Sequence, residues 1–241
     1  MASDTLSQTQ KALLDLRQRI LSGAIIGGTR LYEVALAEEL ATSRTPVRAA
    51  LSRLAEEGLL ERGRGGGFVV RSFALADVVD TIDLRGVLEG TAARYAAERG
   101  IGPEDMAQAQ ATLREIDRIL SGKTLDMEAY SRLNTRFHAI LAQMSQSTTL
   151  QRELARITAL PFASPSAFLE DHNRPESLQR TMTVAQAQHH AILEAIVARE
   201  SARAEAVTRE HARAARRNVE FLLSQEAALR EGVPSLALLN N

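Results

Sequence analysis

The chain has 241 residues, 45% of them hydrophobic, no cysteine and a formal net charge of −1. That is enough apolar material for one large or two modest cores, and it excludes a disulfide framework or a thiolate metal site. A metal, if one binds, sits on nitrogen and oxygen. The opening MASDTLSQTQKALLDL has no basic apolar leader and no stretch approaches the roughly 18 apolar residues of a membrane span, so the expectation is a soluble, cytoplasmic protein with no membrane partner.

In chain order, the first helix is predicted from Ser7 to Leu21, with Leu13, Leu16, Ile20 and Leu21 at helical spacing, and Gly23, Gly27 and Gly28 end it. A second helix runs from Glu33 to Ala41. A third takes Ser43 as its N-cap, tolerates Pro46 in its first turn and continues to Glu57, with Val47, Leu51 and Leu54 as its apolar face. Leu59–Arg62 and Phe68–Val70 read as strands flanking the turn Gly63-Arg64-Gly65-Gly66-Gly67. Three helices and a hairpin make a winged helix-turn-helix. From about Ala76 only helical patterns remain, near 77–99, 103–121, 126–145, 147–160, 176–200 and 202–227, with breaks at Gly100–Pro103, Ser121-Gly122 and Pro161–Pro175. The expected fold is therefore mainly α: domain 1–72, linker 73–76, a six-helix bundle over 77–230 and a tail at 231–241.

Charge is divided unevenly between these halves. Residues 1–72 carry ten Arg/Lys against eight Asp/Glu, and the remainder nineteen against twenty-two. Arg44, Arg48, Arg53, Arg62, Arg64 and Arg71 cluster within 43–71, where a solvated surface is the ordinary alternative to a binding face. Position decides for binding. Ser43, Arg44, Thr45 and Arg48 fall on the first turns of the third helix, opposite its core face, where a recognition helix meets the major groove. The arginine fork suits guanine O6 and N7 or a phosphate. Arg64 stands among the glycines of the wing, which permit close approach to the backbone and minor groove.

The stretch ILSGAIIGGTRLYEVALAEELATSRTPVRAALSRLAEEGLLERGRGGGFVV resembles the GntR-family DNA-binding domain almost end to end, SRTPVR followed by AL..L..EGL being its most specific part. The resemblance implies contacts to double-stranded operator DNA from Ser43, Arg44, Thr45 and Arg48, with Arg64 and Gly65 at the wing. Ala49 stands where the family often has Glu, Ala41-Thr42 where Gly-Val is usual, and Val34 where some relatives carry Arg. These departures bear on which operator is read.

In the helical half, Asn134 and His138 share one helix face with Leu133, Phe137 and Leu141 beside them. His189 shares a stripe with Ile192, Leu193 and Ile196 and so points inward, whereas His190 lies with Gln186 and Glu194 on a polar face and points out. His211 falls near Thr208, Ala215 and Asn218. A single histidine on an apolar face is ordinarily a hydrogen-bonded core residue. Three inward histidines and an amide in one domain point instead to imidazole ligation of zinc, nickel or manganese. In one unbroken helix, His189 and His211 would stand about 33 Å apart at 1.5 Å per residue and share nothing, and no Gly or Pro enforces a break.

QHHAILEAIVARESARAEAVTREHARAA is similar to the last two helices of the FCD ligand-binding domain of the FadR-like GntR subfamily, folded back at about Arg199–Ala202; DLRGVLEGTAARYAAERG and LNTRFHAIL resemble its first and middle helices. The resemblance implies a metal held by Asn134, His138, His189 and His211, with a carboxylate-bearing effector over it. Asn134 replaces the frequent Asp and supplies a neutral carbonyl oxygen, which weakens the site. Arg85, in the LRxxLE pattern, would pair with the effector carboxylate or form a buried ion pair with Glu89.

The expected function is a homodimeric, nucleoid-associated regulator, not an enzyme, repressing transcription until an organic acid or similar metabolite binds; a twofold dimer reads two half-sites. Two alternatives stand beside it: a ligand-independent architectural DNA binder, and a metal-dependent helical hydrolase anchored to DNA. Against the hydrolase, the sequence offers no evident Asp or Glu near the candidate metal as a general base.

Overall fold

The computed structural model describes residues 7–122, 124–160, 163–165 and 175–224, apart from the side chains of 175–178, 218, 219 and 221–224. They form two compact units, the first chiefly the residues up to Leu75 and the second chiefly the helices from Ala76. The expected tail at 231–241, most of the 161–175 loop and the side chain of Asn218 lie outside the described residues.

The first unit contains α1 (Gln8–Leu21), β1 (Arg30–Leu31), α2 (Glu33–Glu39), α3 (Arg44–Glu56), β2 (Leu60–Arg62) and β3 (Phe68–Val70). Ser7 caps α1 through a capping box with Gln10, so two of the helix's orphan amide groups are satisfied. Leu16 and Ile20 of α1 and Val47, Leu51 and Leu54 of α3 are fully buried. Ser43 has the extended backbone of an N-cap, but its side chain accepts no cap bond. The sheet has order β1-β3-β2, both pairings antiparallel. The hairpin of β2 and β3 is thus joined by a third strand that the sequence reading did not contain: at two residues β1 has no alternation to read, and only its pairing with Phe68 and Val69 defines it.

The second unit contains α4 (Leu75–Arg99), α5 (Pro103–Leu120), α6 (Met127–Met144), α7 (Thr148–Thr158), α8 (Pro175–Val197) and α9 (Ser201–Ser224). No helix among the described residues is long and apolar enough to cross a membrane. The core is made of Ala93, Ala96 and Ala97 of α4, Leu113 of α5, Phe137, Ile140 and Leu141 of α6, and Ile192 and Ile196 of α8. Small residues on α4 set how closely its neighbour approaches. A Cβ on Gly86 would lie 2.7 Å from the Cβ of Ala212, and one on Gly90 would lie 2.9 Å from Cγ of Arg209, so α9 packs against bare α4 backbone.

The chain turns between α8 and α9 without Gly or Pro. Arg199 adopts a left-handed conformation with φ of 60°, a backbone that L residues hold only against a cost of about 1–3 kcal/mol. Its guanidinium offsets that cost by donating from Nη1 to the carbonyls of Ala97 and Glu98, both at 3.1 Å, at the open C-terminal end of α4. The result is an antiparallel hairpin that brings residues of α8 and α9 face to face.

Candidate functional site

On the first unit, burial of Val47, Ala50, Leu51 and Leu54 turns the opposite face of α3 to solvent, and Ser43, Arg44, Thr45 and Arg48 are all exposed on it. Glu33 of α2 lies 3.6 Å from both Arg44 and Arg48, holding the two cations loosely beside one another. Surface ion pairs of this kind contribute little to stability and leave both arginines available. At the wing tip, Gly65, Gly66 and Gly67 have φ of 95°, 98° and 74°. Glycine alone takes three such values in succession without strain, and this turn leaves Arg64 and Gly65 exposed.

In the second unit, α6, α8 and α9 bring together the three histidines expected to point inward. His138, His189 and His211 are buried, and one ligand atom from each lies within 4.8 Å of the others. Nε2 of His189 is 3.1 Å from Nε2 of His211, which is 3.4 Å from Nε2 of His138. His190 is the outward neighbour; its side chain is 50% exposed. Asn134 is buried one turn before His138, and its Nδ2 donates to the Pro165 carbonyl at 3.1 Å.

The outer nitrogens are each engaged by an acceptor. Nδ1 of His138 meets Oε1 of Glu89 at 2.9 Å, Nδ1 of His189 meets Oε1 of Gln186 at 3.1 Å, and Nδ1 of His211 meets Oε1 of Gln188 at 3.1 Å. A carboxylate or amide oxygen only accepts, so each Nδ1 carries the proton and donates it. With each Nδ1 so engaged, the three rings turn their Nε2 atoms toward one point. Burial lowers the pKa of His189 well below its ordinary value, reinforced by His211, His138 and His190. Burial likewise pushes His211 down to about 3, with His138 adding to the shift, Glu89 opposing it and Arg85 adding again. Neutral imidazoles at His189 and His211 leave their Nε2 lone pairs facing each other beside Nε2 of His138, an arrangement that a divalent cation satisfies.

Glu89 is the residue that sequence reasoning missed in this role, having been weighed only as a partner for Arg85. Burial would raise its pKa, but His138 and Arg85 outweigh that and hold it at about 2. The expectation that no acid stands near the site is therefore corrected: Glu89 touches a candidate ligand. Its spacing of four from Arg85 and its place on the inward face of α4 were the available signals. Gln186 was likewise expected on the polar face with His190; instead it is 4% exposed.

Arg85 is 2% exposed. Its Nη1 donates to the Ala163 carbonyl at 2.9 Å and its Nε lies 3.7 Å from Oε2 of Glu89, the ion pair weighed above. A cavity of about 350 Å³ opens beside His138, which lines it together with Glu89, Thr135, Leu154, Ser164 and Pro165. No Lys or Arg, and so not Arg85, is among its described lining residues.

Comparison with known proteins agrees with this architecture. Residues 8–70 match the family model of bacterial regulatory proteins, gntR family, and residues 80–214 match the FCD domain. The chain is 29% identical over 166 residues to the HTH-type transcriptional regulator YdhC of Bacillus subtilis, covering 68% of this chain and 73% of that one. It is 27% identical over 214 residues to the galactonate operon transcriptional repressor of Escherichia coli, covering 80% and 88%. The solved structure of E. coli McbR/YncC has the same fold, with a TM-score of 0.65 at 24% identity over 92% of this chain and 99% of that one. With the FCD match spanning more than half of its length behind a gntR-type winged helix, the chain belongs to the GntR family of transcriptional regulators, in the group whose second domain is the ligand-binding FCD domain.

Proposed function

We propose that the protein is an operator-binding repressor whose affinity for DNA is set by a small metabolite bound in the helical domain beside a divalent metal. The observation that carries this reading is the convergence of three Nε2 atoms from His138, His189 and His211, each ring fixed by an outer acceptor. Those residues would hold the ion, with Asn134 as a further oxygen donor from the same face of α6. When bound, the metal supplies a positive charge that anchors an anionic group such as a carboxylate. The adjoining cavity is of the size expected for a small ligand, and the metal would be a cationic anchor at its His138 side. Arg85 acts behind Glu89, neutralising it.

DNA is read by Ser43, Arg44, Thr45 and Arg48 on α3 and by Arg64 and Gly65 on the wing, from a homodimer that presents two recognition helices to two half-sites. Repression is supported by the likeness to the galactonate operon transcriptional repressor. A cytoplasmic location follows from work on operators. The hydrolase alternative is disfavoured even though Glu89 stands close by. A carboxylate held at about 2 and engaged with His138 is a weak general base at neutral pH.

Elemental analysis of protein purified without chelator tests the metal, with divalent ion present in wild type and in His190→Ala but lost from His138→Ala and His189→Ala. Equal content in all four would refute the assignment. Ligand screening by thermal shift, with metal restored, tests the effector: a ligand at 100 times its Kd stabilises the native state by about 2.7 kcal/mol.

A further inference from the structure

We propose that Gln186 is the positioning residue of this site: its amide, locked at both ends, presets the ring of His189 and ties that ligand to Asp117 and His190 on the outside of the domain. The inference rests on the metal reading above only for what the preset ring then binds. A glutamine that is 4% exposed requires an account, because a buried amide is costly unless its groups are bonded. Here both ends are. Nε2 donates to the Leu113 carbonyl at 3.0 Å and to Oδ1 of Asp117 at 2.8 Å. Two acceptors on one side identify that atom as the nitrogen and leave Oε1 facing Nδ1 of His189 at 3.1 Å. The His189 proton must then reside on Nδ1, and Nε2 is left to face His211.

The same carboxylate also receives His190. Its Nε2 lies 3.1 Å from both oxygens of Asp117. Asp117 on α5 therefore fixes the amide, the amide fixes the ring, and the chain of contacts runs from a half-exposed His190 to a His189 with no exposed surface. Gln188 and Glu89 perform the corresponding step for His211 and His138, but Gln186 is the glutamine of the set that is itself buried and anchored by a second helix. Outer partners of this kind typically change metal affinity about 10–100-fold when removed.

Two measurements on the full chain test this. In metal-free protein, the nitrogen chemical shifts of the His189 ring report its tautomer directly. In the second, cobalt(II) alone is titrated while its visible absorption is followed. Wild type is expected to hold the Nδ1–H form. Gln186→Met, which keeps volume and removes the amide's hydrogen bonds, should lose that preference and bind cobalt about 10–100-fold more weakly with an altered band. Gln186→Glu, which when protonated on the oxygen facing Asp117 still donates there and retains an acceptor toward Nδ1, should restore the tautomer. A Gln186→Met variant that still holds Nδ1–H on His189 overturns the proposal whatever its melting temperature. If wild type takes up no cobalt, the metal reading fails, and the ring shifts still decide the role of Gln186.

Discussion

Asn134 shows how much one atom can matter here. It stands on the face of α6 that carries His138, where an aspartate would add a full negative charge beside the three imidazoles. Asn134→Asp should therefore raise divalent-metal affinity in direct titration, and an unchanged affinity would remove Asn134 from the ligand set. The same cluster sets a pH response. His189 and His211 have folded-state pKa values depressed from 6.5, His211 to about 3, so below 6.5 the unfolded chain binds protons that the folded chain refuses. Their stabilising contribution is complete above 6.5 and is lost as pH falls. Glu89, depressed from 4.5 to about 2 by His138 and Arg85 against burial, extends the loss further into acid. The metal-free melting temperature should be flat above pH 7 and fall below 6.5, by about 1.4 kcal/mol of stability per pH unit for each titrating group. A profile flat down to pH 5 would contradict it. Helical spacing placed the three histidines inward, because one face of an amphipathic helix is legible from a single segment. It did not give Glu89 or Gln186 their roles, because a wheel reports a face and not the partner across it.

Among the elements, α3 was the most legible, since its buried and exposed faces follow from one short pattern. Arg48→Ala should cost about 1–3 kcal/mol in operator affinity and relax discrimination if the side chain meets a base edge. Gel-shift titration on operator and scrambled duplexes measures both, and binding equal to wild type on each would exclude Arg48 from the contact. The α8–α9 turn was legible only through family likeness: its device is the left-handed Arg199 capping α4, and nothing local in ARES announces it. β1 was invisible for the related reason that its identity lies in pairing with β3. The α4–α9 contact makes a prediction at this scale. Gly90→Leu must displace Arg209 and the backbone near Glu205, and overpacking of this kind typically costs about 1–3 kcal/mol. A lowered urea midpoint is the expected result, and an unchanged one would mean that α9 yields freely.

For the whole molecule, the boundary between a DNA-reading unit and a ligand-binding unit was visible as a change from mixed elements to uninterrupted helix. Near the expected linker at 73–76, Phe73 is buried with the Arg71 guanidinium 4.7 Å over its ring, and α4 begins at Leu75. A metabolite changes operator affinity only as far as it binds the DNA-competent and incompetent states differently, typically by about 1–3 kcal/mol. Inserting several glycines after Ala74 should leave metabolite binding intact and blunt its effect on operator affinity. A full response in that variant would show that coupling does not travel through this connection.

The three histidines belong to α6, α8 and α9, so the site has no early fragment. Chains fold as they are synthesised, N-terminal domain first, and the winged helix is complete at Val70 while His211 is still to be translated. On the proposed reading, a nascent chain completes its DNA-reading fold before all the helices that would hold the metal and its effector have been translated.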